Sequence, residues 1–183
     1  MLRNTVLNFL NQQELAKIYQ DITTQSKWNF KKTFWRYQLF DQLPPYNECD
    51  ESTWLHNNFE LIEKLDEPWH DLFKKFLLHA GPNFQLMRCA INGQTIDQLN
   101  PIHTDLQTIS GNGSTFLLYL NQTWNASNGG QTQFFNDQQQ LLHSENVEPG
   151  KLIEYDSRIL HFGQSPCVSK ILRLTIAWQG MYR

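Results

Sequence analysis

His103, Asp105, His161 and Arg173 are the residues of this chain whose types and spacing could do chemistry together. Two imidazoles and one carboxylate suit a mononuclear Fe(II) that must keep coordination positions free for substrate and oxygen. Side chains alternate faces along an extended backbone, so His103 and Asp105, two positions apart, would present both ligands to the same side. The third ligand has to arrive from a distant strand. His161 ends the run Lys151-Leu-Ile-Glu-Tyr-Asp-Ser-Arg-Ile-Leu-His161, which reads as a strand, a short turn and the start of a second strand. Arg173 opens the run Arg173-Leu-Thr-Ile-Ala-Trp178, where apolar neighbours argue against a surface charge on a strand edge.

Turn residues punctuate the same half of the chain. Gly129-Gly-Gln-Thr132 precedes Gln133-Phe-Phe135, and Glu148-Pro-Gly-Lys151 precedes Leu152. With Asn92-Gly-Gln-Thr95, Ile102-His-Thr-Asp105 and Thr115-Phe-Leu-Leu-Tyr-Leu-Asn121, these pieces have a familiar order and spacing. From about residue 85 to residue 178, roughly half its length, the chain resembles the catalytic domain of the prolyl 4-hydroxylase-like branch of the Fe(II)/2-oxoglutarate-dependent oxygenases.

The resemblance implies a double-stranded β-helix, a distorted jelly roll with a metal inside its open end. It implies Fe(II) held by His103, Asp105 and His161, with 2-oxoglutarate occupying two further positions and O2 the last. Oxidative decarboxylation to succinate and CO2 then drives hydroxylation of an unactivated carbon, with ascorbate as an accessory reductant. The far carboxylate of 2-oxoglutarate is assigned to Arg173, a planar bidentate donor that stays charged, with Lys170 as runner-up. Tyr119 and Thr132 are expected as further co-substrate contacts. Retention of Asp105 favours hydroxylation, since related halogenating enzymes put a small residue there. The chain departs from the pattern at Ala90-Ile91, where relatives usually carry a Tyr, and at Ile96-Asp-Gln-Leu-Asn-Pro101, which lacks their glycines.

The elements that must position these residues fall into two halves. Short segments rich in β-branched and aromatic residues near 84–91, 114–121, 131–136, 151–156 and 171–179 read as strands. Upstream, Asn11-Gln-Gln-Glu14 before Leu15, Ile18, Tyr19 and Ile22 reads as a capping box opening an amphipathic helix. Further helices are predicted over about 53–65 and 68–79. The latter has Asp66 or Glu67 as its cap, Pro68 in its first turn, Gly81-Pro82 at its end, and Trp69, Leu72, Phe73, Phe76 and Leu77 on one face. The expectation is a mainly β (α+β) fold, a jelly roll buttressed on its outer face by N-terminal helices. One domain is expected over residues 1–183, with 1–82 a helical support region with an early strand and 83–183 the jelly-roll core.

A net charge of -3 gives no electrostatic footprint for nucleic acid or membrane. Lys27, Lys31, Lys32 and Arg36 interleave with Trp28, Phe30, Phe34 and Trp35, the pattern of an edge strand with its polar side in water. Cys49, Cys89 and Cys167 make an odd count without metal-binding spacing. The N-terminus lacks the apolar core and cleavage site of a signal peptide, and no stretch approaches a membrane span, so a cytoplasmic protein is expected. His56, His70 and His79 fall on predicted helices, His143 in a polar loop, and Asp156 in the turn before His161.

Three functions stay open at this level. The first is a hydroxylase of a peptidyl residue, with proline the reference by analogy. The second is a hydroxylase of a small molecule or free amino acid, and the third a jelly roll kept as a non-catalytic binding module. The loops at 41–53 and 121–130 are expected to set specificity.

Overall fold

In the computed structural model, residues 2–25, 28–31, 34–37, 63, 65–98, 100–105 and 112–183 are described. The loop predicted at 41–53, almost all of the helix predicted over 53–65, Lys27, Lys32, Cys49 and His56 lie outside them. The described strands are β1 (Leu2–Val6), β2 (Trp28–Lys31), β3 (Phe34–Tyr37), β4 (Phe84–Gln94), β5 (Asn112–Tyr119), β6 (Thr132–Phe135), β7 (Leu141–Glu145), β8 (Leu152–Asp156), β9 (Leu160–Gly163) and β10 (Arg173–Tyr182). Among the described residues, two α-helices, α1 (Gln12–Thr24) and α2 (Trp69–Ala80), and a 3-10 turn at Ala126–Asn128 accompany them. Among the described residues no helix is long and apolar enough to cross a membrane.

All pairings are antiparallel and form two sheets. The larger has the order β1-β8-β5-β10-β4-β3-β2, and the smaller β7-β6-β9. The fold is therefore the expected jelly roll of two sheets with helices against it. β2 closes the larger sheet as an edge, where the interleaved basic and aromatic segment was expected. Two strands escape the sequence reading. β1, with Leu2 and Val6 half-buried and the residues between exposed, pairs with β8 at the other edge. β7 replaces a predicted polar loop, its mostly exposed residues held by backbone pairing with β6.

The helices cover the outer face of the larger sheet, and alternation along the strands explains why. Leu174, Ile176 and Trp178 of β10 and Phe116 and Leu118 of β5 point outward, into one apolar cluster with Leu15, Ile18 and Ile22 of α1 and Leu72, Phe73 and Phe76 of α2. Phe76 stacks on Trp178 with ring centroids 4.2 Å apart and planes within 6°. The α1 start is the predicted capping box: Asn11 Oδ1 accepts from the Gln13 and Glu14 amides, and Glu14 Oε2 accepts from the Asn11 amide at 2.8 Å. The cap of α2 differs from expectation. Pro68 takes the cap position without an acceptor side chain, and Asp66 serves through its backbone carbonyl, which accepts from the Trp69 amide at 3.0 Å. The helices are tied together by the Trp69 indole N–H donating to Asp21 at 2.8 Å and by a Lys75–Glu14 ion pair.

The opposite set of side chains points between the sheets. Register places them in rungs across β4, β10 and β5: Gln94 beside Arg173; Asn92, Thr175 and Tyr119; Ala90, Ala177 and Leu117; Arg88, Gln179 and Thr115. These rungs are the floor of a cavity of about 360 Å³.

Candidate metal centre and co-substrate pocket

The segment around His103 runs antiparallel to β9, on the far side of the cavity from that floor. His103 and His161 exchange both backbone hydrogen bonds, at 3.0 and 2.9 Å, and the Asp105 amide donates to the Ser157 carbonyl at 2.9 Å. Pairing across strands thus sets His161 beside His103, while alternation brings Asp105 to the same side. Ligand atoms of all three lie within 4.8 Å of one another. His103 Nε2 is 3.7 Å from Asp105 Oδ1, and His161 Nε2 is 3.5 Å from Asp105 Oδ2.

The imidazoles are oriented for a metal. His103 Nδ1 lies 2.9 Å from the Pro101 carbonyl and His161 Nδ1 2.9 Å from that of Ile159. A carbonyl only accepts, so each Nδ1 carries the proton and each Nε2 keeps its lone pair for an ion. Asp105 is fixed from behind. Its Oδ2 accepts from the Thr115 hydroxyl at 2.7 Å and from the Tyr155 hydroxyl at 3.1 Å. Burial drives the Asp105 carboxyl up, but hydrogen bonds with His103, His161 and Thr115 outweigh it and hold the group far below the usual carboxylate range. His103 is pushed up, chiefly by its contact with the Asp105 carboxylate; burial and the Arg88 charge oppose the rise. The Tyr155 phenol is driven well above its ordinary value by burial and by the Asp105 charge, so it remains a hydrogen-bond donor.

Arg173 lies deeper in the same cavity and is buried to 3 % exposure. Its Nε donates to the Gly130 carbonyl at 2.6 Å, Nη1 to Gln94 Oε1 at 2.8 Å and Nη2 to the Thr132 hydroxyl at 2.9 Å. All three acceptors are neutral. No carboxylate of the described residues pairs with this guanidinium, and burial lowers its pKa from the ordinary arginine value. Isolated buried charges are costly, so such a group is poised for an anionic ligand. Lys170 stands exposed in the turn before β10, at φ +64°. Gly163 sits where a Cβ would come within 3.0 Å of Gln94 Oε1 and 3.1 Å of Arg173 Nη1, so its lack of a side chain keeps room beside the guanidinium.

Thr132 lines the cavity and links Arg173 to Tyr119, whose hydroxyl is 2.8 Å from Thr132 Oγ1. Tyr119 points inward, while Leu118 faces the helices, but the phenol stands behind Thr132 and under the Arg173 plane rather than on the cavity wall. Ala90 lines the cavity. His143 hydrogen-bonds Glu145 at 2.6 Å on β7. Asp156 holds the turn by accepting from the Arg158 amide and guanidinium.

Several residues around the site receive no role from the motifs that contain or flank them. Thr115, Tyr155, Gln94, Thr175, Gln179 and Arg88 all face inward around the site. A signal for some of them exists in the sequence: in β10, Arg173, Thr175 and Gln179 are the polar residues, spaced by even numbers in a run otherwise apolar.

Comparison with known proteins follows this geometry. Neither a protein-family model nor a curated protein sequence matches the chain. Solved structures do. A prolyl hydroxylase from Trichoplax adhaerens, in complex with a hypoxia inducible factor oxygen degradation domain peptide fragment, aligns with a TM-score of 0.60 and 15% identity, over 98% of this chain and 83% of that one. The chain has the fold of the 2-oxoglutarate/Fe(II) oxygenases. A Pseudomonas putida prolyl-4-hydroxylase aligns at 0.56 with 14% identity, over 98% and 92% of the two chains. The α-ketoglutarate-dependent epimerase SnoN of nogalamycin biosynthesis aligns at 0.56 with 12% identity, over 98% and 79%. One fold thus serves different reactions, and function must be argued from the site.

Proposed function

We propose that this chain is an Fe(II)- and 2-oxoglutarate-dependent dioxygenase that hydroxylates an unactivated carbon, in the first reading that of a peptidyl residue as in the prolyl 4-hydroxylases. The observation that carries the reading is Arg173: a buried guanidinium with neutral partners only, in the same cavity as two Nε2 lone pairs and a carboxylate. His103, Asp105 and His161 would hold the iron, and Arg173 would take the far carboxylate of the 2-oxo acid. When bound, iron, 2-oxoglutarate and O2 supply the oxidising power that turns C–H into C–OH with release of succinate and CO2.

The chain's own residues set orientation and charge. His103 and His161 donate their Nδ1 protons to backbone carbonyls, which turns both Nε2 atoms toward the metal position. Thr115 and Tyr155 hold Asp105 ionised and aimed, and Tyr155 keeps its proton. Thr132, Gln94 and Gly130 hold the Arg173 plane, so little reorganisation is needed when a carboxylate arrives. The apolar cluster of Phe134, Ile153 and Val147 packs between the two sheets and keeps bulk water from the deep end. A small-molecule substrate is the second reading, favoured by the polar floor of Asn92, Thr175 and Gln179.

Anaerobic addition of Fe(II) and then 2-oxoglutarate to metal-free protein tests the assignment. A 2-oxo acid chelated to Fe(II) gives a weak visible charge-transfer band. It is expected in the native chain and absent in His161→Ala. Folded native protein that never develops the band overturns the oxygenase reading in favour of a jelly-roll binding module.

A further inference from the structure

The end of the cavity away from Arg173 has a chemistry of its own. Gln179 lies three rungs from Arg173 along β10, about 20 Å at about 3.3 Å per residue. Its rung also holds Arg88 on one side and Thr115 on the other, and Thr115 bonds the metal-facing Asp105. The metal trio therefore stands close to this rung, and a co-substrate tethered at Arg173 leaves this end to a second molecule.

Two hydrogen-bond acceptors lining the cavity have no partner, and one of them lies on this rung. Gln179 is buried to 5 % exposure and its Oε1 meets no donor; the buried Oδ1 of Asn100, on the cavity wall beside Pro101, meets none either. Buried acceptors without donors are uncommon and costly, and both of these line the same cavity. Opposite Gln179, Arg88 lines the mouth with its side chain exposed, and among the described residues no carboxylate lies within ion-pair distance of it. Directly paired residues on one face lie about 5 Å apart at Cβ, so one small group can meet both.

Resting on the oxygenase reading, we propose that Arg88, Gln179 and Asn100 form the primary-substrate subsite, and that it takes an amino-acid carboxylate with an adjacent N–H donor. The carboxylate pairs with Arg88 at the mouth, and the nitrogen donates to Gln179 Oε1 and Asn100 Oδ1, which leaves the side chain to point across the cavity toward the metal. A free amino acid and the C-terminal residue of a peptide share this chemistry.

The test is ligand-observed saturation-transfer NMR on full-length protein loaded with redox-inert Zn(II) and saturating 2-oxoglutarate. Three probe sets are compared: free L-amino acids, their N-acetyl derivatives and their C-terminal amides. Acids are expected to bind and amides not; binding by free acids alone identifies a free amino acid, and binding by N-acetyl acids identifies a chain terminus. Arg88→Ala and Gln179→Leu should each weaken acid binding at least about tenfold. Amides binding wild-type protein as well as acids do, or acids binding both variants undiminished, overturns the proposal. If 2-oxoglutarate shows saturation transfer and no probe does, this subsite alone fails. If 2-oxoglutarate shows none, the oxygenase reading fails and the subsite falls with it.

Discussion

Replacing Arg173 by methionine removes the charge while keeping much of the side chain's length and apolar bulk. A guanidinium has five N–H donors. Nε serves Gly130, one Nη1 proton serves Gln94 and one Nη2 proton serves Thr132, which leaves one donor on each terminal nitrogen for a bidentate carboxylate. Hydrogen bonds to charged groups contribute about 1.5–3 kcal/mol each, or roughly 3–6 kcal/mol for two. Breaking one partner of a buried pair costs about 3–5 kcal/mol, and taking that range, 2-oxoglutarate should bind roughly two to three and a half powers of ten more weakly. The fold should tolerate the change. Thr132 keeps Tyr119 at 2.8 Å and Gln94 Nε2 still donates to the Gly163 carbonyl at 3.0 Å; the Gly130 carbonyl and Gln94 Oε1 lose the Arg173 donor, a cost set against relief of an unpaired buried charge. The assay is anaerobic titration of 2-oxoglutarate into the Fe(II)-loaded variant, following the visible band, with metal affinity measured separately. Metal affinity should hold, because Arg173 touches none of the three ligands. A folded, metal-loaded variant that binds 2-oxoglutarate within about threefold of wild type would refute the assignment of that cation.

Other residues around the site give separable outcomes. Thr115→Val keeps the shape of the side chain and removes the 2.7 Å donor to Asp105 and the contact with Ser157; Fe(II) affinity of the folded variant, measured against a colorimetric chelator, should fall about 10- to 100-fold. Gly163→Ala places a methyl 3.0 Å from Gln94 Oε1 and 3.1 Å from Arg173 Nη1; 2-oxoglutarate affinity should drop about tenfold by displacement of the fork, and an unchanged affinity would show the cavity slack there. Because the His103 pKa is raised from 6.5, its contribution to the metal-free fold is fully present below that value and is lost as pH rises through the raised one. Zn(II) affinity should increase over the same window as Nε2 sheds its proton; urea midpoints and affinities at about pH 6 and about pH 8 that move together would contradict this. The depressed Asp105 contributes in the opposite sense, being present above 3.8 and lost only in strong acid. Phe76→Ala, which empties the fully buried stack on Trp178, should destabilise by about 3–5 kcal/mol in urea melts and leave 2-oxoglutarate affinity intact.

Much of the fold and the core of the site are legible in the chain itself. The period of two in β5 and β10, the capping box at Asn11 and the helical stripe of α2 are local patterns, and local sterics and apolar burial decide them. His103 and Asp105 share a face for the same local reason, and the chemistry of a His–Asp–His set follows from the residue types. Long-range pairing decides the rest. That His161 sits beside His103 depends on β9 register; that Arg173 rather than Lys170 enters the cavity depends on where β10 begins and the turn ends. β1 and β7 form because a partner strand offers backbone hydrogen bonds to segments with little apolar pattern of their own. Tyr155, Thr115, Gln179 and Arg88 become site residues only when four strands, β8, β5, β10 and β4, align side by side over a shared cavity. Residue types and spacing told which chemistry this chain is equipped for, because ligand identity and backbone periodicity are local properties. Which side chains surround that chemistry was settled only in three dimensions, because strand register and the burial of unpaired polar groups exist only once distant segments meet.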